Sequence, residues 1–233
     1  MTSEPEARGK MKEVLHDLWE RGHVNTTGVS ISIRLDDMNI LVDQTGTGFR
    51  KCKVTIGDFL VIDLDGNLVR PAPNTPQKLA PVNTAIHLAY YKMNPLAKAC
   101  IHTHAPYSQV FACRSETISP YTLQSQILGN VLCINVDDAK LKKEYWEQKP
   151  NIEVPSGLHA RPDVWYVMKE VAVLTAKALE PRNHEMEKHG LAVTHYQHGI
   201  FVFGRNPDEA FDNLERIEAN ARTIILSRAM GTV

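Results

Sequence analysis

Histidines are the residues of this 233-residue chain that point most directly to chemistry, and there are ten of them. Two are separated by a single residue in the segment Ala99-Cys-Ile-His102-Thr-His104. Because residues i and i+2 of a β-strand point to the same side, both imidazoles could reach one metal ion. Neutral imidazole is the commonest zinc ligand and also suits iron and other first-row metals. The spacing favours a metal-binding strand, although two buried histidines that are hydrogen-bonded to the backbone could have the same spacing.

A second histidine-rich segment, His195-Tyr-Gln-His198-Gly199, comes late in the chain. A catalytic metal site typically has three protein ligands and leaves one or two positions for water or substrate. This segment therefore supplies a candidate third ligand.

Composition excludes several other function classes. Hydrophobic residues make up 43% and charged residues 23% of the chain, which predicts a globular protein, and we expect residues 1–233 to form one domain. Lys and Arg number 26 against 27 for Asp and Glu, so bulk charge favours neither nucleic acid nor an anionic membrane as a partner. The four cysteines form no CxxC pair, which is typical of reduced thiols and predicts a cytoplasmic protein.

The elements that must position these histidines follow from hydrophobic periodicity and turn residues. We predict helices over 6–24, 81–93, 107–113 and 164–179, a final helix capped by Asn206, and strands over 29–34, 39–42, 59–64, 67–69, 97–104, 131–136, 191–196 and 200–203. Strict alternation makes 29–34 a half-buried strand, and the polar stretch 140–161 is predicted to be a surface excursion. Short strands between helices indicate an α/β domain with a mixed or antiparallel sheet covered by helices.

The order of these motifs resembles the class II aldolase/adducin family. The resemblance begins with His102-Thr-His104 at a strand end, preceded by a helix that carries its own histidine, His87. Further segments match the family along nearly the whole chain: 29–34, Leu41-Val-Asp-Gln-Thr-Gly46, Gly57-Asp-Phe-Leu-Val-Ile-Asp-Leu-Asp-Gly66, Pro95-Leu-Ala-Lys-Ala-Cys-Ile-His-Thr-His104, Gln197-His-Gly-Ile-Phe-Val-Phe-Gly204 and Asp208-Glu-Ala-Phe211.

The resemblance implies a three-layer α/β/α fold with a central mixed or antiparallel sheet. It implies a homotetramer with active sites between subunits and a divalent metal held by His102, His104 and His198. Zinc is the expected ion, with manganese or iron as alternatives, and it would act as a Lewis acid on a small-molecule substrate. His195 is then predicted to be a neighbour of the site.

The chain departs from the family where other members hold a proton-transfer group and a phosphate. Family enzymes carry Ser-Ser-Glu one turn before the helix histidine, whereas this chain has Pro81-Val82-Asn83. Asn83 can hydrogen-bond but cannot move a proton at neutral pH. Ser30 stands where the family has a phosphate-binding asparagine, and only Thr45 and Gly46 remain of the phosphate turn.

These departures favour an unphosphorylated substrate and decarboxylation of an oxo or hydroxy-aromatic acid, because loss of CO2 does not begin with proton abstraction from carbon. A proton donor is still needed afterwards. A metal-bound water, Tyr121, Asp137 or His87 could serve, and the sequence leaves these alternatives open. Arg50 and Gln124 are candidate substrate-binding residues, although an exposed arginine or glutamine is often simply solvated.

Other functions in the same family remain as alternatives. A retro-aldolase acting on a sugar-like hydroxy-carbonyl compound, an epimerase or a dehydratase could use the same chelated substrate. An adducin-like binding module without catalysis is disfavoured, because a scaffold does not need the three convergent imidazoles of His102, His104 and His198.

Overall fold

A computed structural model describes residues 3–24, 28–45 and 53–231 of the chain. The helices in these ranges are α1 (Glu4–Glu20), α2 (Thr84–Met93), α3 (Pro106–Cys113), α4 (Asp138–Gln148), α5 (Pro162–Leu179) and α6 (Pro207–Ala229). The strands are β1 (Ser30–Arg34), β2 (Asn39–Asp43), β3 (Phe59–Asp63), β4 (Leu68–Arg70), β5 (Ala80–Pro81), β6 (Ala99–Thr103), β7 (Leu132–Ile134), β8 (Leu158–His159), β9 (Leu191–His195) and β10 (Gly199–Gly204). Among the helices so described, none is long and apolar enough to cross a membrane.

The central layer is an eight-stranded sheet with the order β4-β3-β2-β1-β6-β10-β9-β7. Neighbouring strands are antiparallel except β7, which runs parallel to β9. The predicted mixed sheet is therefore confirmed. β5 and β8 form a separate parallel pair, which the sequence pattern did not predict. β6, the strand that ends in His102-Thr-His104, lies between β1 and β10 near the middle of the sheet.

Helices cover both faces of this sheet. Alternate residues of β6 illustrate the arrangement, because Ala99 and Ile101 pack in a hydrophobic cluster with α1, α3 and α6. Cys100 belongs to the cluster on the other face, together with α2 and α5. Strands that are buried on both sides in this way form the middle of three layers, and the predicted α/β/α architecture is confirmed.

The first strand is more buried than its sequence predicts. Strict alternation suggested one solvent-facing side, yet all five residues of β1 are buried. Ser30 and Ser32 bond to the two ring nitrogens of His87 on α2, at 3.2 and 2.8 Å. Arg34 donates to the carbonyl oxygen of Tyr91 at 2.8 Å. The polar face is buried because α2 supplies a partner for each polar side chain.

The stretch 140–161 also differs from its prediction. It is polar and largely exposed, as expected, but α4 occupies its first half. Asp137 caps this helix by accepting the backbone N–H of Lys140 at 2.9 Å. Lys and Glu four residues apart form ion pairs along α4. Such pairs and a capping aspartate favour a helix even where no strong apolar stripe is present.

The last helix matches its prediction and also holds the segment that follows β6. The Asn206 side chain accepts the N–H of Glu209 at 2.8 Å, which confirms the predicted cap. Further along α6, buried Glu218 accepts the backbone N–H groups of Tyr107 at 2.9 Å and Ser108 at 2.7 Å. These are first-turn amides of α3, so a carboxylate from α6 caps the helix that begins just after His104.

Replacing Glu218 by alanine should destabilise the fold, because it leaves two buried backbone N–H groups of α3 without a partner. Hydrogen bonds to charged groups contribute about 1.5–3 kcal/mol each, and we expect a loss of about 2–4 kcal/mol in the free energy of unfolding by urea titration. Asp212→Ala, an exposed carboxylate on the same helix, is the control and should change stability by less than about 0.5 kcal/mol. Equal effects of the two substitutions would contradict the capping role.

Candidate metal centre

β6 delivers the first two histidines to one side of the sheet. His102 is the fourth residue of β6, and His104 follows directly after the strand ends. His102 is fully buried and His104 is half-buried. Their ring centroids lie 5.2 Å apart. The alternation of side chains along a strand thus brings both imidazoles to the same place, as the spacing predicted.

The third histidine comes from the turn between β9 and β10. Because β10 pairs with β6, with Ile200 opposite Thr103, the residue just before β10 lies beside the end of β6. Gln197 adopts a positive φ of 54° in this turn, and His198 follows it. The ring of His198 lies 4.8 Å from that of His102 and 5.4 Å from that of His104. One ring nitrogen from each histidine lies within 4.8 Å of the others.

The protonation of His102 is fixed by its hydrogen bond. Its Nδ1 lies 3.0 Å from the backbone carbonyl oxygen of Ile200. A carbonyl oxygen can only accept, so Nδ1 carries the hydrogen and Nε2 keeps its lone pair. The Nε2 atoms of His102 and His104 are buried and have no hydrogen-bond partner among the residues that the structure describes. Leaving a buried polar atom unpaired costs about 1–3 kcal/mol, and a metal ion would offset this cost.

Burial also keeps the three imidazoles neutral. It lowers the pKa of His102 well below its usual value, with a further decrease from the neighbouring His198 and His104. Burial lowers the pKa of His104 as well. Burial and the nearby His104 together lower the pKa of His198 to about 4. Because metal ions bind the deprotonated ring nitrogen, the triad is in its ligand form at neutral pH. The residues fit a divalent first-row metal.

The surroundings of the triad leave little room for the rings to move. Phe201 stacks on His102 with a centroid distance of 4.1 Å and an interplanar angle of 12°. Gly28, with a φ of +86°, lies against His104, and a Cβ there would come within 2.6 Å of Nε2 and 2.9 Å of Nδ1. Gly199 approaches the same ring from β10. Sequence reasoning did not single out Gly28, because its closeness to His104 depends on the tertiary fold.

A cleft of about 690 Å³ opens beside the triad and shares His198 with it. Its other walls come from the end of β7, the start of α4, α5 and the β9–β10 turn. Apolar lining is contributed by Ile134, Val136, Met168 and Val171, and polar lining by Asn135, Asp137, Asp138, Lys142, His195, Tyr196 and Gln197. The predicted residue Asp137 therefore lies in the cleft that His198 borders.

Other predicted site residues occupy different surroundings. His87 is fully buried on α2, where both ring nitrogens contact the serine hydroxyls of β1, and burial lowers its pKa to about 3. Its ring meets Phe201 edge to face at 5.9 Å. Asn83 precedes α2 and makes no side-chain capping bond. The hydroxyl of Thr45 donates to the carbonyl oxygen of Leu79 at 3.1 Å.

Tyr121 and Gln124 lie in the segment that packs on α6. The side chain of Tyr121 is 48% exposed, and its backbone N–H donates to Asn220 of α6 at 2.9 Å. Gln124 is exposed on the short 3₁₀ helix Leu123–Ile127. Gly46 and Arg50, the remaining predicted substrate-binding residues, lie outside the described residues.

Comparison with known proteins agrees with the geometry. The family model described as "Class II Aldolase and Adducin N-terminal domain" matches residues 10–225. A 3-oxo-tetronate 4-phosphate decarboxylase of Haemophilus influenzae is 32% identical over 91% of this chain and 83% of that protein. A methylthioribulose-1-phosphate dehydratase of Pectobacterium atrosepticum is 23% identical over 87% of this chain and 85% of that protein.

A similar fold is found in a solved structure. The L-fuculose-1-phosphate aldolase of Thermus thermophilus superposes with a TM-score of 0.69 and 19% identity, covering 99% of each chain. At this identity the likeness concerns the fold. It confirms that the three-layer architecture is that of the class II aldolases.

Removal of a triad histidine should remove metal binding. We expect the protein, loaded with Zn²⁺ and freed of excess ion, to retain about one ion per chain in elemental analysis. His102→Ala and His198→Ala should each lose most of the bound zinc, because only two imidazole ligands remain. His16→Ala, an exposed histidine on α1, is the control and should keep the wild-type content. Full metal retention in both triad variants would place the ion elsewhere.

Gly28→Ala should weaken zinc binding by about tenfold or more, because a Cβ at this position displaces the His104 ring and strains a backbone with positive φ. Titration calorimetry with Zn²⁺ measures the effect. Gly9→Ala on α1 is the control, since a Cβ there meets nothing within 4 Å. That substitution should leave zinc affinity unchanged and add about 0.5–1 kcal/mol of stability. Unaltered zinc affinity in Gly28→Ala would show that the ring is not confined.

Proposed function

Because this chain belongs to the class II aldolase and adducin family, we propose that it is a divalent-metal-dependent carbon–carbon lyase. The observation that carries the proposal is the convergence of His102, His104 and His198, in which two buried Nε2 atoms have no hydrogen-bond partner among the described residues. Zn²⁺ is the proposed ion, with Mn²⁺ or Fe²⁺ as alternatives, since all accept imidazole ligands. When bound, the ion supplies Lewis acidity that withdraws electron density from an oxygen-bearing substrate.

Among lyase reactions we favour decarboxylation of an oxo or hydroxy acid. On the family resemblance, Asn83 stands where other members carry a proton-transferring glutamate, and asparagine cannot take a proton from carbon at neutral pH. In a decarboxylation the bond to the carboxylate carbon breaks, CO2 leaves, and the electron pair stays on the substrate. No side chain has to abstract a proton first. The relative that is 32% identical is named as a decarboxylase of a 3-oxo acid, which supports this choice.

The substrate carbon that loses CO2 must then receive a proton. Asp137 is the candidate that we favour to relay this proton from water, because its carboxylate lines the same cleft as His198. Two other candidates have less support. His87 is enclosed by the hydroxyls of Ser30 and Ser32, and Tyr121 lies in the segment that packs on α6.

We propose that the substrate is unphosphorylated, although the relatives reported above are named for phosphorylated compounds. The support comes from the hydroxyls that would bind a phosphate. Ser30 is buried against His87, and the Thr45 hydroxyl donates to a backbone carbonyl. Pro81 and Val82 stand where the family carries two serines.

We also propose, on the family resemblance, that the chain forms a homotetramer with active sites between subunits and that residues 1–233 are a single domain. The free thiols of Cys100, Cys113 and Cys133 support a cytoplasmic location, where cysteines stay reduced.

The zinc-loaded protein is expected to release CO2 from unphosphorylated 3-oxo-tetronate or a hydroxy-aromatic acid faster than it converts 3-oxo-tetronate 4-phosphate or fuculose 1-phosphate, measured as kcat/KM. Asp137→Asn should lower kcat by about 10²–10⁴-fold, because it removes the proton-transfer group. Asparagine also caps helices, so α4 should remain folded. Asp138→Asn, the neighbouring cleft carboxylate, is the control and should keep most of the activity.

Aldehyde release from fuculose 1-phosphate without CO2 release from any acid would replace decarboxylation by retro-aldol cleavage. A protein that binds none of the three metals would refute the lyase proposal and favour a binding module.

A further inference from the structure

We propose that His195 is a substrate-binding residue whose Nδ1 accepts a hydrogen bond from a substrate hydroxyl group outside the reacting centre. This inference rests on the proposed function, because it assigns a specificity to the same cleft. It concerns a residue that the sequence pattern presented only as a neighbour of the third ligand.

The tautomer of His195 follows from its contact with Thr175 on α5. The Thr175 hydroxyl lies 2.7 Å from the carbonyl oxygen of Val171 and 3.0 Å from Nε2 of His195. A hydroxyl has one hydrogen, and the carbonyl can only accept, so the hydrogen points to Val171. The hydroxyl oxygen then accepts from His195, which places a hydrogen on Nε2 and a lone pair on Nδ1.

The lone pair on Nδ1 is free for a ligand. His195 is only 4% exposed, yet it lines the cleft together with His198, and the two ring centroids are 6.3 Å apart. Among the described residues, the side-chain hydrogen bond of the His195 ring is the one made by Nε2, which leaves Nδ1 without a partner there. Nδ1 is not sealed from solvent in the way that Nε2 of His102 is, and the cleft is the opening that His195 lines.

Packing alone does not explain a histidine at this position. The residues of β9 on the same side, Leu191 and Val193, are apolar and belong to the core cluster with α2 and α5. An apolar side chain at position 195 would continue this cluster and would not need a buried threonine hydroxyl beside it. A histidine whose donor is used internally presents a fixed acceptor to the cleft.

The chemical class that fits this acceptor is an oxo acid that carries a hydroxyl group outside the reacting centre. 2,4-Dihydroxy-3-oxobutanoate has one hydroxyl more than 2-hydroxy-3-oxobutanoate. Each loses CO2 by cleavage of its C1–C2 bond and takes up a proton at C2, giving dihydroxyacetone and hydroxyacetone respectively. These two products differ in the one hydroxyl that His195 is proposed to bind, and they serve as stable probes.

The test measures binding of dihydroxyacetone and hydroxyacetone to the zinc-loaded protein by titration calorimetry. We expect dihydroxyacetone to bind about tenfold more tightly, as one additional hydrogen bond allows. In His195→Leu the ratio should fall to about one, and in His195→Asn, which keeps an acceptor near the position of Nδ1, part of the preference should return. Equal binding of the probes by the wild type, binding of neither, or an unchanged ratio in His195→Leu would overturn the inference.

Nitrogen-15 NMR of the ring provides a second readout that does not depend on turnover. The wild type should show His195 with hydrogen on Nε2, and dihydroxyacetone should shift the Nδ1 resonance. Thr175→Val removes the oxygen that accepts the Nε2 hydrogen of His195, so the ring hydrogen should no longer be confined to Nε2. Thr223→Val, which removes a hydroxyl bonded to the Ala219 carbonyl on α6, is the matched control and should not change the His195 signals. A wild-type ring with hydrogen on Nδ1 would contradict the proposal.

These measurements separate the two proposals. If 2-hydroxy-3-oxobutanoate is decarboxylated at the same rate by the wild type and His195→Leu while the probe preference is absent, His195 has no such role and the lyase proposal stands. If neither acid releases CO2 but the probes and the NMR signals behave as expected, the proposed reaction fails and the hydroxyl site stands.

Discussion

The hydrogen bond from Nδ1 of His102 to the carbonyl oxygen of Ile200 is the interaction on which the site depends. It joins two neighbouring strands, β6 and β10, and it fixes which ring nitrogen keeps a lone pair. With Nδ1 used in this way, Nε2 is left buried beside the other two histidines, with no hydrogen-bond partner in the part of the chain that the structure describes. An imidazole binds a metal when its ring is neutral and when its N–H group is hydrogen-bonded within the protein. Burial provides the first condition and the Ile200 carbonyl the second. The same principle recurs at His195, whose donor is used by Thr175.

The rest of the fold keeps this arrangement in register. β6 is held on both sides by antiparallel partners, and α6 fixes the chain that leaves it. Glu218 caps α3 directly after β6, and Asn220 accepts the backbone N–H groups of Tyr121 and Thr122. On the other face, the Ser30–His87–Ser32 contacts anchor α2 against β1, and His87 packs on Phe201, the ring that stacks on His102. The polar side chains that are buried here therefore serve the position of the triad as well as the stability of the sheet.

Sequence reasoning could predict the parts of this site that are encoded by local spacing. The i, i+2 spacing places His102 and His104 on one side of a strand, and the Asn206 cap and the apolar stripe of α6 are equally local. The same reasoning could not predict contacts that depend on how layers meet. Gly28 touches His104, and β1 is buried on its polar face because α2 lies over it. The pairing of Thr175 with His195 joins a helix to a strand and leaves no local pattern.

The two sets of residues that a family enzyme needs have diverged differently in this chain. The three histidines proposed to bind the metal converge in the structure. On the family resemblance, Asn83 stands at the position of the proton-transferring glutamate, and the hydroxyls of Ser30 and Thr45 are engaged with protein groups. A site without that glutamate can still polarise a carbonyl, because polarisation requires the metal and not a side-chain base. The proposed decarboxylation requires a bound metal, for which this chain has three histidines, and it does not require a side-chain base at the position of Asn83. Its one remaining requirement, a proton for the product carbon, can be met from the cleft that Asp137 shares with His198.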